Sequence, residues 1–146
     1  MKKYTKILLC LMILITLTGC TKTIKKSYSS PSGEKISIKF KNKYKLDMTD
    51  SDPIEFKNGD DVIATLSIIT SYGYEYYYNS LATDTMVDNK KEGNKKGNDY
   101  VCYRYARTEH KCLMKIKDSS SAILLSSTKT KDQLEEIFNS LNITKE

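Results

Sequence analysis

The sequence predicts an α+β domain, in which two helices pack on one mostly antiparallel sheet. Three observations predict this class: short segments alternate apolar and polar residues, an Asn-Gly pair separates two of them, and only two segments show helical spacing. The 146 residues suffice for one domain, which excludes a multidomain enzyme or a two-lobed solute receptor. A mean hydropathy of −0.51 excludes a polytopic membrane protein.

The first two strands are predicted from alternation. Ile36, Ile38 and Phe40 occupy every second position of 35–41, which indicates a half-buried strand. Tyr44, Leu46 and Met48 alternate next. A three-residue loop at 41–43 would pair residue 40 with 44, 38 with 46 and 36 with 48. All six apolar side chains would then share one face, so this register is expected for the first hairpin.

The Asn58-Gly59 pair predicts a hairpin between the segments IEFK at 54–57 and DDVIATLSII at 60–69. Residues 62–69 are apolar at positions that face both sides of a strand, so this strand is expected at the centre of the sheet.

The first helix is predicted over 75–91. Tyr77, Tyr78, Leu81 and Thr85 recur there at helical spacing, and Lys90-Lys91 followed by Gly93 is typical of a helix end. Residues 94–98 are expected to form the loop that follows.

The remaining segments predict a hairpin of 99–106 with 110–117, a strand over 122–128 and a closing helix. Thr130 and Gln133 fit a capping box at the start of that helix. Four apolar residues then follow at positions i, i+3, i+4 and i+7, namely Leu134, Ile137, Phe138 and Leu141.

The amino-terminal segment has the pattern of an export signal. Residues 1–6 carry three lysines, and 7–17 form an apolar run of 11 residues, too short for a membrane-spanning helix of ~20 residues. Leu17-Thr18-Gly19-Cys20 resembles the lipobox of bacterial lipoproteins at all four positions. The resemblance implies a signal peptide at 1–19, which would take Cys10 with it, and a diacylglyceryl group on Cys20. A cleaved secretory signal or an uncleaved anchor helix is the alternative.

Positive charge is concentrated after Cys20. Residues 21–45 hold eight lysines and one acidic residue, Glu34. A flexible lipidated tether is expected over 20–33, and the folded domain over 34–146. Lys22, Lys25 and Lys26 would lie beside the acyl chains, where basic residues favour an anionic membrane. Nucleic acid is not expected as a partner, because the basic segment lies next to the lipid anchor and outside the cytoplasm.

The layout of residues 35–143 is an early hairpin, a mid-chain helix, a three-strand meander and a helix containing EEIFNSLNI. This layout is similar to small lipoproteins of the PsbP/Mog1-like fold. The resemblance implies a non-catalytic role in binding or assembly, and it supplies no functional residues.

Two cysteines remain in the expected domain. A turn centred on Arg107 would place Cys102 opposite Cys112, both facing inward, at the separation that a disulfide needs. The alternative is two buried thiols. The chain-entropy model gives a stabilisation of a little under ~3 kcal/mol for a loop of this size.

The same hairpin holds the candidate residues for metal binding and catalysis. Cys102, His110 and Cys112 could supply three zinc ligands, but a structural site needs four, so no metal and no cofactor is expected. A reactive thiol at Cys102 or Cys112 would depend on Arg104, Lys111 or His110 to lower its pKa.

Tyrosines form the remaining candidate surface. Val101, Tyr103, Tyr105 and Leu113 share the outward face of the second hairpin and could bind a partner or a glycan, unless the second helix covers them. Five further tyrosines crowd one stretch, namely Tyr72, Tyr74, Tyr76, Tyr77 and Tyr78. The acidic residues Asp47, Asp50, Asp52, Asp60 and Asp61 lack the spacing of a calcium loop and are interpreted as solvated turns.

The sequence carries no nucleophile elbow, phosphate-binding loop or HExxH motif. The leading hypothesis is therefore a non-enzymatic binding or accessory lipoprotein at the outer face of the cell membrane. Its partner would be a membrane complex or a cell-wall component. The alternatives are a small thiol-dependent redox protein that uses Cys102 and Cys112, and a cell-wall glycan binder that uses the tyrosines.

Overall fold

The computed structural model describes residues 23–41, 43–47 and 53–146. It confirms the α+β class, and every strand pair within these ranges is antiparallel. The strands are β1 Thr23–Ser29, β2 Lys35–Lys41, β3 Lys45–Asp47, β4 Ile54–Asn58, β5 Asp61–Thr70, β6 Val87–Lys95, β7 Asn98–Tyr105, β8 Glu109–Lys115, β9 Ser121–Ser127 and β10 Leu141–Lys145. The helices are α1 Ser71–Ser80 and α2 Lys131–Ser140.

The strands form two sheets rather than the single sheet expected from the sequence. Seven strands follow the order β3-β4-β5-β9-β8-β7-β6, and three follow the order β1-β2-β10. The larger core joins β2, β10 and α2 to one face of the seven-stranded sheet, with Ile38, Met114, Leu125 and Ile137 among its buried residues. The smaller core joins α1 to the opposite face.

The first predicted hairpin is wrong in its pairing, although the inward face predicted for 35–41 is confirmed. Ile36, Ile38 and Phe40 are all buried. However, β2 pairs with β1 and β10, whereas β3 pairs with β4 in the other sheet. Alternation identifies which residues face the core, but it does not identify the partner strand. Met48 lies outside the described residues.

The tether predicted over 20–33 is also wrong for half of its length, because Thr23–Ser29 is a paired strand. Ile24 lies opposite Phe40, and Tyr28 lies opposite Ile36 and packs against the larger core. A polar segment with only two apolar residues can therefore form a strand when a neighbouring strand supplies the backbone hydrogen-bond partners. The folded domain therefore includes Thr23–Ser29, which precede the predicted start at residue 34.

The hairpin at Asn58-Gly59 is confirmed. Asn58 pairs with Asp61, so Gly59 and Asp60 form the two-residue loop, and Gly59 has a φ of 63°, which favours glycine. β5 lies between β4 and β9, as expected for a strand with apolar residues on both faces.

The first helix begins and ends earlier than the predicted 75–91. Thr70 caps α1, and its Oγ1 accepts a hydrogen bond from the backbone N–H of Gly73 at 3.1 Å. Residues 87–95 form β6 instead, an edge strand that pairs with β7, and the expected loop at 94–98 shrinks to a turn. The exposed lysines of β6 are typical of an edge strand that resists further pairing.

The remaining elements follow the predictions closely, apart from one missed strand. The β7–β8 hairpin, β9 and α2 are confirmed, and Thr130 and Gln133 form the capping box. Leu141, predicted as the last apolar residue of the helix, instead begins β10. β10 pairs with β2, so the chain end completes the three-stranded sheet.

Candidate functional site

The two cysteines of the β7–β8 hairpin lie opposite each other, as the sequence predicts. Cys102 and Cys112 are register partners, and their Sγ atoms are 2.03 Å apart, the distance of a disulfide bond. Cys112 is fully buried, and both residues pack with the larger core beneath α2.

The basic residues proposed to activate a thiol already have acidic partners. Arg104 donates two hydrogen bonds to Asp88, Nε to Oδ1 at 2.7 Å and Nη2 to Oδ2 at 2.6 Å. These bonds hold the pKa of Asp88 below its usual value. Lys111 Nζ lies 2.8 Å from Glu109 Oε2. Neither cation is therefore available to a sulfur atom without breaking an ion pair.

His110 lies on the same hairpin, opposite Arg104 in the register. A small cavity of about 50 Å³ beside the disulfide is lined by Cys102, Arg104, His110 and Glu135, among others. Within the part of the chain that the structure describes, no group of three His, Cys, Asp or Glu side chains could hold a metal ion.

The outward face predicted for partner binding is mostly buried. Val101 and Leu113 are inaccessible, Tyr103 is 6% exposed and Tyr105 is half-buried. α1 covers them, and not the second helix, which was the alternative considered from the sequence. Burial raises the pKa of Tyr103 to about 12. This face therefore belongs to the smaller core and does not form an open binding surface.

The exposed tyrosines lie on α1 itself. We call Tyr72, Tyr76, Tyr77 and Tyr78 the tyrosine surface, and Tyr72 and Tyr76 are 81% and 68% exposed. Tyr74 is the buried member of the stretch and stacks on Tyr78, with ring centroids 5.7 Å apart. Sequence spacing revealed the cluster, but it could not distinguish the buried ring from the exposed ones, because the predicted helix began four residues too late.

A cleft of about 270 Å³ continues the tyrosine surface toward β7 and β8. Its lining includes four tyrosines and two charged residues, namely Tyr76, Tyr77, Tyr103, Tyr105, Asp84 and Lys111. Lys111 Nζ lies 4.5 Å from the centroid of the Tyr105 ring, a cation–π distance. The cleft thus offers aromatic faces beside one cation and one carboxylate.

The predicted membrane-proximal lysines are only partly described. Lys25 and Lys26 lie on β1 and are exposed, whereas Cys20 and Lys22 lie outside the described residues. Lys25 Nζ is 3.6 Å from Glu146 Oε1. Of the predicted loop acids, Asp60 and Asp61 are exposed at the β4–β5 turn.

Asp50 and Asp52 lie outside the described residues, and Asp47 lies on β3.

One acidic residue, Glu34, joins the two sheets, a role that the sequence did not predict. Glu34 accepts hydrogen bonds from Lys145 Nζ at 2.6 Å, Ser119 Oγ at 2.5 Å, Ser120 N at 3.0 Å and Ser121 Oγ at 3.1 Å. These donors, led by Lys145, lower the pKa of Glu34 to about 2. Glu34 is the single acidic residue within 21–45, and this isolation among lysines is the sequence signal that could have indicated an ion pair there.

Comparison with known proteins gives no assignment. No protein-family model matches the chain, and a search of curated proteins finds no match either. No helix within the described ranges is long and apolar enough to cross a membrane.

Proposed function

We propose that this protein is a membrane-anchored bacterial lipoprotein that acts as a non-enzymatic binding or accessory protein at the outer face of the cell membrane. The observation that carries the proposal is the complete lipobox at 17–20. Two acyl chains on Cys20 would hold the protein stably at the membrane, whereas one chain holds only marginally.

The position of β1 supports a close attachment. Only Thr21 and Lys22 separate Cys20 from the first described strand. Because each residue spans at most about 3.5 Å, the start of β1 lies within roughly 10 Å of the proposed lipid-bearing residue. Such a short connection confines the domain near the membrane and raises its effective concentration toward a membrane partner.

The tyrosine surface is the best candidate for the contact with that partner. Tyrosine supplies a large, rigid contact area with a polar tip, and it is enriched at protein interfaces. The described domain otherwise exposes few large apolar side chains, and Met86, 56% exposed, lies just beyond α1. The exposed rings of α1 therefore form the most suitable apolar contact area in the described part of the chain.

The lipid anchor is tested by mass spectrometry of the amino-terminal peptide from membrane-extracted protein. We expect a peptide that begins at Cys20 and carries a diacylglyceryl group. In the Cys20→Ala variant we expect loss of this species. An unmodified Cys20 in the wild-type protein would contradict the proposal.

The partner surface is tested by photo-crosslinking in cells. A photoreactive phenylalanine analogue replaces Tyr76 or, as the matched control, exposed Lys91 on β6. We expect a discrete adduct from position 76 and none from position 91. The same adduct from both positions, or none from position 76, would contradict a partner contact at the tyrosine surface.

A second candidate function is cell-wall glycan binding, which the aromatic cleft favours. Its test is sedimentation of the protein with purified cell walls. We expect Tyr105→Ala to weaken binding, because Tyr105 is half-buried and lines the cleft. Tyr103→Ala is a poorer test, because Tyr103 is part of the smaller core. Unchanged sedimentation of the Tyr105 variant would rule out this use of the cleft.

A further inference from the structure

The outward side of the three-stranded sheet carries more positive than negative charge. The inward side of β2 bears Ile36, Ile38 and Phe40, so the intervening residues face outward. Register places further outward residues beside them on β1 and β10. The charged side chains on this side are Lys25, Lys35, Lys39, Lys41 and Glu146, and we call its four lysines the lysine face.

Three of these lysines lie close together. Lys25 is directly opposite Lys39, and Lys41 follows on the same side of β2, opposite Thr23. Like charges directly opposite across two strands destabilise the pair. Glu146 offsets Lys25, but among the described residues Lys39 and Lys41 have no salt-bridge partner. The arrangement therefore leaves unbalanced positive charge at one end of the sheet.

This end of the sheet also holds Thr23, the first residue of β1. Thr23 pairs with Lys41, and Cys20 is three residues earlier in the sequence. At about 3.5 Å per residue, the Thr23 backbone stays within roughly 10 Å of Cys20. An anionic bilayer surface at Cys20 would then be within reach of Lys25, Lys39 and Lys41.

We propose that the lysine face lies against the anionic headgroups of the membrane and fixes the orientation of the domain. The inference rests on the proposed lipid anchor at Cys20 and adds the surface that faces the bilayer. Charge complementarity and the short chain before β1 favour a lipid surface as the occupant. Each lysine near such a surface strengthens attachment roughly fivefold.

This orientation also determines which side of the domain faces outward. The three-stranded sheet and α1 pack on opposite sides of the seven-stranded sheet. With the lysine face on the bilayer, the tyrosine surface of α1 is directed away from it. A partner could then reach those rings without displacing lipid.

The test measures lysine acetylation on the full-length protein, extracted from membranes and reconstituted into vesicles. The vesicles contain phosphatidylcholine alone or phosphatidylcholine with phosphatidylglycerol. Limited acetylation followed by mass spectrometry reports each lysine separately. Lys115 is the matched control, because it lies on the side of α1 and, like Lys25, is paired with a glutamate, Glu75.

We expect Lys25, Lys39 and Lys41 to be modified several-fold more slowly on the anionic vesicles, and Lys115 to be modified equally on both. Salt should reverse the protection, because it screens exposed charges. In the Lys39→Gln/Lys41→Gln variant, the protection of Lys25 should be lost. Both residues are exposed, so the variant should fold normally.

Equal modification of the three lysines on the two vesicle types would overturn the proposal. Equal protection by soluble polyphosphate without vesicles would overturn the choice of a lipid surface. The mass of the amino-terminal peptide from the same sample reports the anchor separately. An acylated Cys20 with unprotected lysines would contradict only the lysine face, whereas an unmodified Cys20 would contradict the lipoprotein assignment.

Discussion

The two sides of the seven-stranded sheet are covered unequally. On one side, α2 and the three-stranded sheet enclose the larger core, which includes Phe40, Phe56 and Ile137. On the other side, the ten residues of α1 cover Val101 and Leu113. The seven-stranded sheet therefore has a thick side, covered by α2 and the three-stranded sheet, and a thin side, covered by α1 alone. The thick side contains most of the buried apolar residues, and the thin side leaves aromatic rings exposed.

Truncating one buried residue on each side should give the largest difference between the two sides. Phe56 is fully buried, and its ring centroid lies 4.9 Å from that of Phe40. We expect Phe56→Ala to reduce the free energy of unfolding by about 3–5 kcal/mol, since the cavity is enclosed by two sheets. Leu81→Ala, at the end of α1, should cost about 2 kcal/mol, because the short helix can settle into the space.

Urea denaturation followed by circular dichroism measures both changes. A domain of this size has a total stability of about 5–15 kcal/mol, so the Phe56 variant should be close to unfolding. Equal losses in the two variants would show that the two covers contribute alike, contrary to the comparison.

The next largest effect is expected from the disulfide, which holds β7 and β8 together beneath α2. Replacing both residues in a Cys102→Ala/Cys112→Ala variant should lower the free energy of unfolding by a little under ~3 kcal/mol, chiefly because the unfolded chain gains freedom. The loop is short, with a sequence separation of 10, so the entropic effect is moderate.

Thermal unfolding with and without a reducing agent checks this prediction. The wild-type protein should lose stability on reduction, whereas the double variant should not respond. Alkylation of the unreduced protein tests the redox alternative, because a disulfide leaves no thiol at either position. Rapid alkylation of Cys102 or Cys112 in the native state would favour thiol chemistry over a structural bond.

The β7–β8 hairpin is the part of the fold that the local sequence pattern predicts best. Its turn, its register and the pairing of Cys102 with Cys112 follow from sequence, because both strands are adjacent in the chain and alternate cleanly. Thr130 and Gln133 likewise predict the start of α2, since a capping box involves only residues within one turn. Local chemistry determines these features, so the sequence alone suffices.

The three-stranded sheet shows where local pattern fails. β2 receives its partners from 23–29 and from 141–145, which are distant from each other in sequence. The polar composition of β1 resembles a linker, and Leu141 continues the helical spacing of α2 although it begins β10. Non-local backbone pairing decides both cases. The exposure of Tyr76 could not be predicted from the sequence either, because it depends on where α1 begins.

The smallest effect in this series concerns the contact between the two sheets on the thick side. Glu34 precedes β2 and accepts hydrogen bonds from Lys145 on β10, from Ser119 and Ser120 before β9, and from Ser121 at the start of β9. The folded protein lowers the pKa of Glu34 from 4.5 to about 2, so the folded state favours the charged form. The stabilisation is therefore complete above the unfolded pKa and is lost as the pH falls toward 2.

We expect Glu34→Gln to lower the melting temperature by a constant amount from pH 7 to about pH 5, and by a shrinking amount between about pH 4.5 and 2. Glu75→Gln is the control, because its exposed ion pair with Lys115 is worth only about 0–1 kcal/mol. Differential scanning calorimetry across this range measures both. A difference between wild type and Glu34→Gln that stays constant down to pH 2 would mean that the Glu34 carboxylate does not join the two sheets through its charge. The thick cover would then depend on apolar packing alone, and the asymmetry between the two sides would rest entirely on the difference between the Phe56 and Leu81 variants.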